Sequence, residues 1–170
     1  KGVPQFAIQA QRMRVTEGLI FRNIVVVKGR VDLAAGQVGD LVDDVASWPG
    51  GKDLLNLDGF IYDRLAGTAP TTFSARRDWL RAGSNLRGEF RPQPYTQLAR
   101  VLRQMGHAGE ARLVLIERER LLAEHRITDD RAAYEKALNG DQTQRGDAGW
   151  IWLRMTGFRL WTWLTKTFAG

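Results

Sequence analysis

The polar and apolar positions along the chain follow two different periods. Over the first sixty residues, short aliphatic runs recur, each near a glycine: Gly18-Leu19-Ile20-Phe21, Gly29-Arg30-Val31-Asp32-Leu33, Gly39-Asp40-Leu41-Val42 and Leu55-Asn56-Leu57-Asp58-Gly59-Phe60. Glycines 18, 29 and 39 fall ten or eleven residues apart. Even spacing of short strands predicts a right-handed parallel β-solenoid over 1–65, with an ordinary antiparallel sheet as the alternative. Alternation in Val31-Asp32-Leu33 and Leu55-Asn56-Leu57 places Leu19, Phe21, Val31, Leu33, Leu41, Leu55, Leu57 and Phe60 inward and the interleaved Asp and Asn outward. Asp43-Asp44-Val45-Ala46-Ser47-Trp48-Pro49-Gly50-Gly51 interrupts the period and marks a loop.

From about residue 72 the period becomes 3.6. Phe73 to Leu80 forms a short helix stopped by Ala82-Gly83-Ser84-Asn85. Pro92-Gln93-Pro94 pre-sets the start of a second helix, Tyr95 to Met105, with Tyr95, Leu98, Ala99 and Leu102 on one side. Gly106 ends it. Gly109-Glu110 opens a third helix that runs to about Arg126 with Ala111, Val114, Leu115 and Leu122 inward, and Thr128-Asp129-Asp130 caps a shorter fourth one reaching Leu138. The predicted class is α+β: a solenoid over 1–65, a helical cap over 66–138, a polar link over 139–147 and a tail helix over 148–170.

The tail has its own character. Residues 148–170 contain four of the six tryptophans, three cations and no acid. On a helical wheel Trp150, Leu153, Gly157, Leu160, Trp161, Leu164 and Phe168 form one apolar stripe, with Trp152, Met155, Arg159, Trp163 and Lys166 opposite. Indole rings and cations together suit the boundary between water and lipid. Arg154 and Arg159 interrupt the run, so a spanning helix is not expected. The contact set is Trp150, Trp152, Arg154, Arg159, Trp161, Trp163 and Lys166; the alternative is a terminal helix that packs on its own domain or on a second copy.

Charge sharpens the picture. The net +6 comes from residues 71–110, with seven cations against three acids, and from the tail; residues 1–70 hold eight of each. Glu117-Arg118-Glu119-Arg120 alternates in sign as a solvated helix surface does, and no continuous basic face with interleaved aromatics points to nucleic acid. No cysteine is present, so thiolate chemistry and disulfides are excluded. The chain starts at Lys1 without a signal-peptide pattern, and it ends at Gly170 directly after an apolar segment; processing, or membership of a longer chain, is expected.

Candidate chemistry is sparse. Asp40, Asp43, Asp44, Asp58 and Asp63 lie on or near the proposed strands, where paired carboxylates would serve glycoside cleavage and single ones would cap turns. His107 and His125 have no ligand partners at metal spacing. The segment Asp58 to Arg64 is expected to fix the β-to-α junction through an Asp–Arg pair.

Two resemblances complete the reading. Tyr95-x2-Leu98-Ala99-x2-Leu102-x3-Gly106-x4-Ala111-x3-Leu115 resembles the tetratricopeptide pattern of a close helical hairpin, and these seven residues are its expected packing set. Asp43-Asp44-x3-Trp48-Pro49, Leu57-Asp58-Gly59-Phe60-x-Tyr62-Asp63-Arg64-Leu65, Arg77-x-Trp79-Leu80, Pro92-Gln93-Pro94-Tyr95-x-Gln97-Leu98-Ala99 and Gly106-His107-x2-Glu110-Ala111-Arg112 resemble a family of uncharacterised bacterial membrane-associated proteins. Those proteins join a pentapeptide-like β-solenoid to a helical hairpin and are sometimes labelled membrane-associated oxidoreductases. The resemblance implies attachment at the cytoplasmic face of a bacterial inner membrane. No Gly-x-Gly-x-x-Gly fingerprint or haem motif is present, so no cofactor is expected. The expected function is a non-catalytic scaffold or accessory subunit on a membrane or membrane-protein complex, with self-association open; a carbohydrate-active or redox β-helix enzyme and a peptide-binding adaptor are the alternatives.

Overall fold

A computed structural model describes residues 5–24 and 28–139. The chain resolves into two compact units, Lys1–Arg120 and Leu121–Gly170. In the first unit, six strands come in sequence: β1 (Phe6–Gln9), β2 (Arg14–Phe21), β3 (Arg30–Asp32), β4 (Gln37–Asp43), β5 (Leu55–Asn56) and β6 (Ile61–Leu65). Helix α1 (Phe73–Ser84), a two-stranded antiparallel pair β7 (Asn85–Leu86) and β8 (Glu89–Phe90), helix α2 (Gln93–Gln104) and the start of helix α3 (Ala108–Asn139) follow.

The fold is α+β, but the expected solenoid is not formed. The strands make two separate three-stranded parallel sheets, β1-β3-β5 and β2-β4-β6, in place of one stacked coil. The glycine spacing that predicted the coil has another cause. Gly18 and Gly39 lie inside β2 and β4 and start neither. β2 carries an extra residue between Val15 and Gly18 relative to β4, and Gly39 faces that bulge: a Cβ there would lie 2.3 Å from the carbonyl oxygen of Glu17 and 2.6 Å from that of Thr16.

Registers such as Val15↔Val38↔Tyr62 and Leu19↔Leu41↔Leu65 line up apolar side chains across the second sheet, and Ile8↔Val31↔Leu55 does so across the first. Phe21, Val31, Leu33, Leu41, Leu55, Leu57 and Phe60 are buried, whereas Leu19 is half-buried. The alternation fails at Asp32 and Asn56, expected outward and found buried. Asp32 is tolerated there because four donors meet its carboxylate: Asn56 Nδ2 at 2.9 Å, the Ala34 N–H, Gln11 Nε2 and Arg30 Nη2.

Two helical expectations are corrected as well. α1 runs through Gly83 to Ser84, because that glycine serves close packing and not termination. A Cβ at Gly83 would lie 2.3 Å from Leu57 Cδ1, and its carbonyl accepts the Leu57 N–H at 3.0 Å. Thr128 is no cap. α3 continues through it, and its hydroxyl donates back to the Glu124 carbonyl at 2.9 Å, the bond a threonine makes within a helix. The described part of the second unit, residues 121–139, is the later part of α3; Arg131 pairs with Glu135 one turn on.

Candidate functional site

The region where strand gives way to helix holds the most developed polar chemistry among the described residues. Asp43 ends β4 and is buried; Arg76, in the first turns of α1, is buried against it. The guanidinium grips the carboxylate with both Nη atoms, Nη2 reaching Oδ1 at 2.7 Å, while Nε donates to the Pro70 carbonyl at 2.8 Å. Trp48 donates its indole N–H to Asp43 Oδ2 at 2.7 Å, stacks on Phe21 with ring centroids 4.1 Å apart, and leans on Trp79. Arg76 in turn lies 5.0 Å from the Trp79 ring centroid. Each atom of the pair has a bonding role that a fold needs, since a buried charge is stable only when paired and hydrogen-bonded. The Asp–Arg junction foreseen within residues 58–64 is therefore made by Asp43 and Arg76.

Three of the other candidate carboxylates, Asp40, Asp44 and Asp58, also serve bonds within the fold. Asp40 is gripped by Arg64 Nε and Nη2 on the neighbouring strand, which holds its carboxyl below the ordinary range. Asp44 accepts from the Asn23 and Ser47 N–H groups, which lower its pKa, and caps the short 3-10 turn Val45–Ser47. Asp58 pairs with Arg91 at 2.7 Å, and Asp63 is exposed. His107 is exposed in the turn between α2 and α3, and the ring Nδ1 of His125 lies 2.9 Å from the Leu121 carbonyl inside α3, which continues past the end expected near Arg126. No group of three or more His, Cys, Asp or Glu among the described residues could hold a metal ion.

The hairpin residues come together at α2 and the start of α3. Tyr95, Leu98, Ala99, Leu102 and Ala111 are buried, Leu115 is half-buried, and Gly106 makes the turn. α2 is turned toward the strands. Gln97 Nε2 donates to the Tyr62 carbonyl at 2.6 Å, Arg100 Nη2 reaches the same oxygen at 3.2 Å, and Gln93 Oε1 accepts the Gly59 N–H at 3.0 Å. This side of α2 is thus packed on β6. Three ties that sequence reasoning missed hold α3 to the other helices. Glu110 accepts the Phe73 N–H at 2.6 Å, placing a carboxylate at the positive end of α1; Arg118 donates to Thr96; and Glu117 binds Arg81 and Arg120. Arg120, then Arg81, pull the Glu117 carboxyl down to about 2. No spacing rule reveals these, because the partners lie 22 to 37 residues apart, Arg120 excepted.

Trp150, Trp152, Arg154, Arg159, Trp161, Trp163 and Lys166 lie outside the described residues. Among the described residues, no helix is long and apolar enough to cross a membrane. Comparison with known protein families, curated proteins and solved structures finds no match to this chain.

Proposed function

We propose that this protein is a non-catalytic scaffold or accessory subunit that docks on a membrane surface, or on a membrane-protein complex, through residues 148–170. The observation that carries the reading is the segregation of four tryptophans and three cations, unopposed by any acid, in those residues. The packed unit adds support, because Asp40, Asp43, Asp44 and Asp58 all serve internal bonds that hold the fold. Its resemblance to bacterial membrane-associated proteins points to the cytoplasmic face of the inner membrane, where anionic lipid attracts Arg154, Arg159 and Lys166.

The test is co-sedimentation with vesicles containing anionic lipid. Wild type is expected to pellet, less so as salt rises, since exposed charges are screened over about 10 Å at 0.1 M. Replacing Trp152 and Trp163 by Ser and Arg159 and Lys166 by Gln is expected to leave the protein in the supernatant with an unchanged thermal melt. Undiminished pelleting of that variant would sink the reading.

A further inference from the structure

The two sides of the β-region are treated differently. Beside β5 and β6, the helical layer satisfies main-chain groups of Leu57, Gly59 and Tyr62 through the Gly83 carbonyl, Gln93, Gln97 and Arg100. At the other side β1 pairs only with β3 and β2 only with β4, so among the described residues both sheets end in an open edge. All four residues of β1 are exposed. Along one register column Ile8 is 36% exposed while Val31 and Leu55 are at 0%, and Phe6 and Ile20 on the same two edge strands are 45% and 67% exposed.

We propose that this edge is the interface of a two-fold dimer of this chain. An open edge offers unpaired N–H and C=O groups to another strand. Charge favours a second copy as the occupant. The chain carries +6, yet the edge strands hold one cation, Arg14, and one anion, Glu17, both exposed. A two-fold axis across the edge runs the partner's β2 antiparallel to its own, which carries Arg14 of each copy toward Glu17 of the other. Phe6, Ile8 and Ile20 lose solvent in the same step. The bulge at Thr16 and Glu17 bends β2 and brings Arg14 and Glu17 to the same face of the strand. With the opposite side covered by helices, association stops at two.

Sedimentation equilibrium on the full chain tests the proposal, both as wild type and with the four tail substitutions, so that docking through the tail is scored separately. Both are expected at twice the 19.2 kDa chain mass at roughly 100 µM. Ile8→Lys with Ile20→Lys, each at an exposed site, is expected to give the single-chain mass with an unchanged far-ultraviolet spectrum. Arg14→Glu, which disturbs no packing, is expected to weaken the dimer about tenfold, and adding Glu17→Arg to restore it. A wild-type monomer, a dimer indifferent to the lysines and to Arg14→Glu, or a dimer lost only with the tail substitutions would overturn the proposal.

Discussion

Removing the guanidinium from Asp43 is the most informative single change. Arg76→Met keeps an apolar stem in place of the arginine's but removes the guanidinium, leaving a buried carboxylate whose remaining donor among the described residues is the Trp48 indole. Breaking a buried ion pair from one side costs about 3–5 kcal/mol, because the abandoned charge stays desolvated. For a unit of this size about 4 °C accompanies each kcal/mol, so the melting temperature is expected to fall by roughly 12–20 °C. Asp43→Leu combined with Arg76→Met removes both charges and orphans the Trp48 N–H and the Pro70 carbonyl, at a cost of about 1–3 kcal/mol each, the Pro70 loss being shared with Arg76→Met alone. The double variant should therefore be more stable than Arg76→Met alone, and a double-mutant cycle in urea measures the difference as a coupling energy. If Arg76→Met melts within a few degrees of wild type, or the double variant is the less stable of the two, the pair does not anchor α1 to β4 in the way described.

Other substitutions probe separate contacts. Gly83→Ala improves helix propensity but drives a Cβ into Leu57, itself buried, and is expected to lower stability by about 1–3 kcal/mol in a thermal melt; a gain would show that α1 can move off β5. Ala111→Trp is expected to do at least as much damage at the buried crossing of α2 and α3, and retention of the wild-type melting curve would place the crossing elsewhere. The Tyr62 hydroxyl is buried with no hydrogen-bond partner among the described residues, so Tyr62→Phe should leave stability within about 1 kcal/mol of wild type or raise it, and a larger loss would reveal a bonded hydroxyl. Glu117 is depressed to about 2, so its contribution is fully present above the unfolded pKa of about 4.3 and is lost as pH falls toward 2. Wild type and Glu117→Gln should differ at pH 7 and converge near pH 2; a pH-independent gap would mean that the carboxylate charge is not what stabilises.

Much of the architecture was legible where a local rule controls it. The aliphatic runs at 18–21, 29–33, 39–42 and 55–60 each overlap or adjoin a strand, and Tyr95, Leu98, Ala99, Leu102 and Ala111, singled out by residues three or four apart on a helix face, are buried. The arrangement of the strands was not. Glycine periodicity cannot distinguish a coil start from a glycine that makes room for a bulge, as Gly39 does, or for a neighbouring leucine, as Gly83 does. Alternation misassigned Asp32 and Asn56, whose burial depends on donors as far away as Gln11 and on each other. Thr128-Asp129-Asp130 has the composition of a cap, yet hydrogen bonding within α3 outcompetes it. Of the candidate site, Asp43 and Trp48 were visible as residues but their partner was not. Arg76 lies 33 positions from Asp43, and only the fold brings the two together.

The unequal treatment of the two edges also sets an order of opening. The Leu57 and Gly59 N–H groups donate to the Gly83 carbonyl and to Gln93, and the Tyr62 carbonyl accepts from Gln97 and Arg100, whereas β1 has one neighbouring strand among the described residues and no covered residue. Hydrogen exchange in an isolated chain should therefore run as a gradient, fastest in β1 and β2, slower in β3 and β4, and approaching the global unfolding limit at β5 and β6. Local fluctuations then begin at the strands through which two copies would meet, and partnering would slow exchange first where the single chain is least protected.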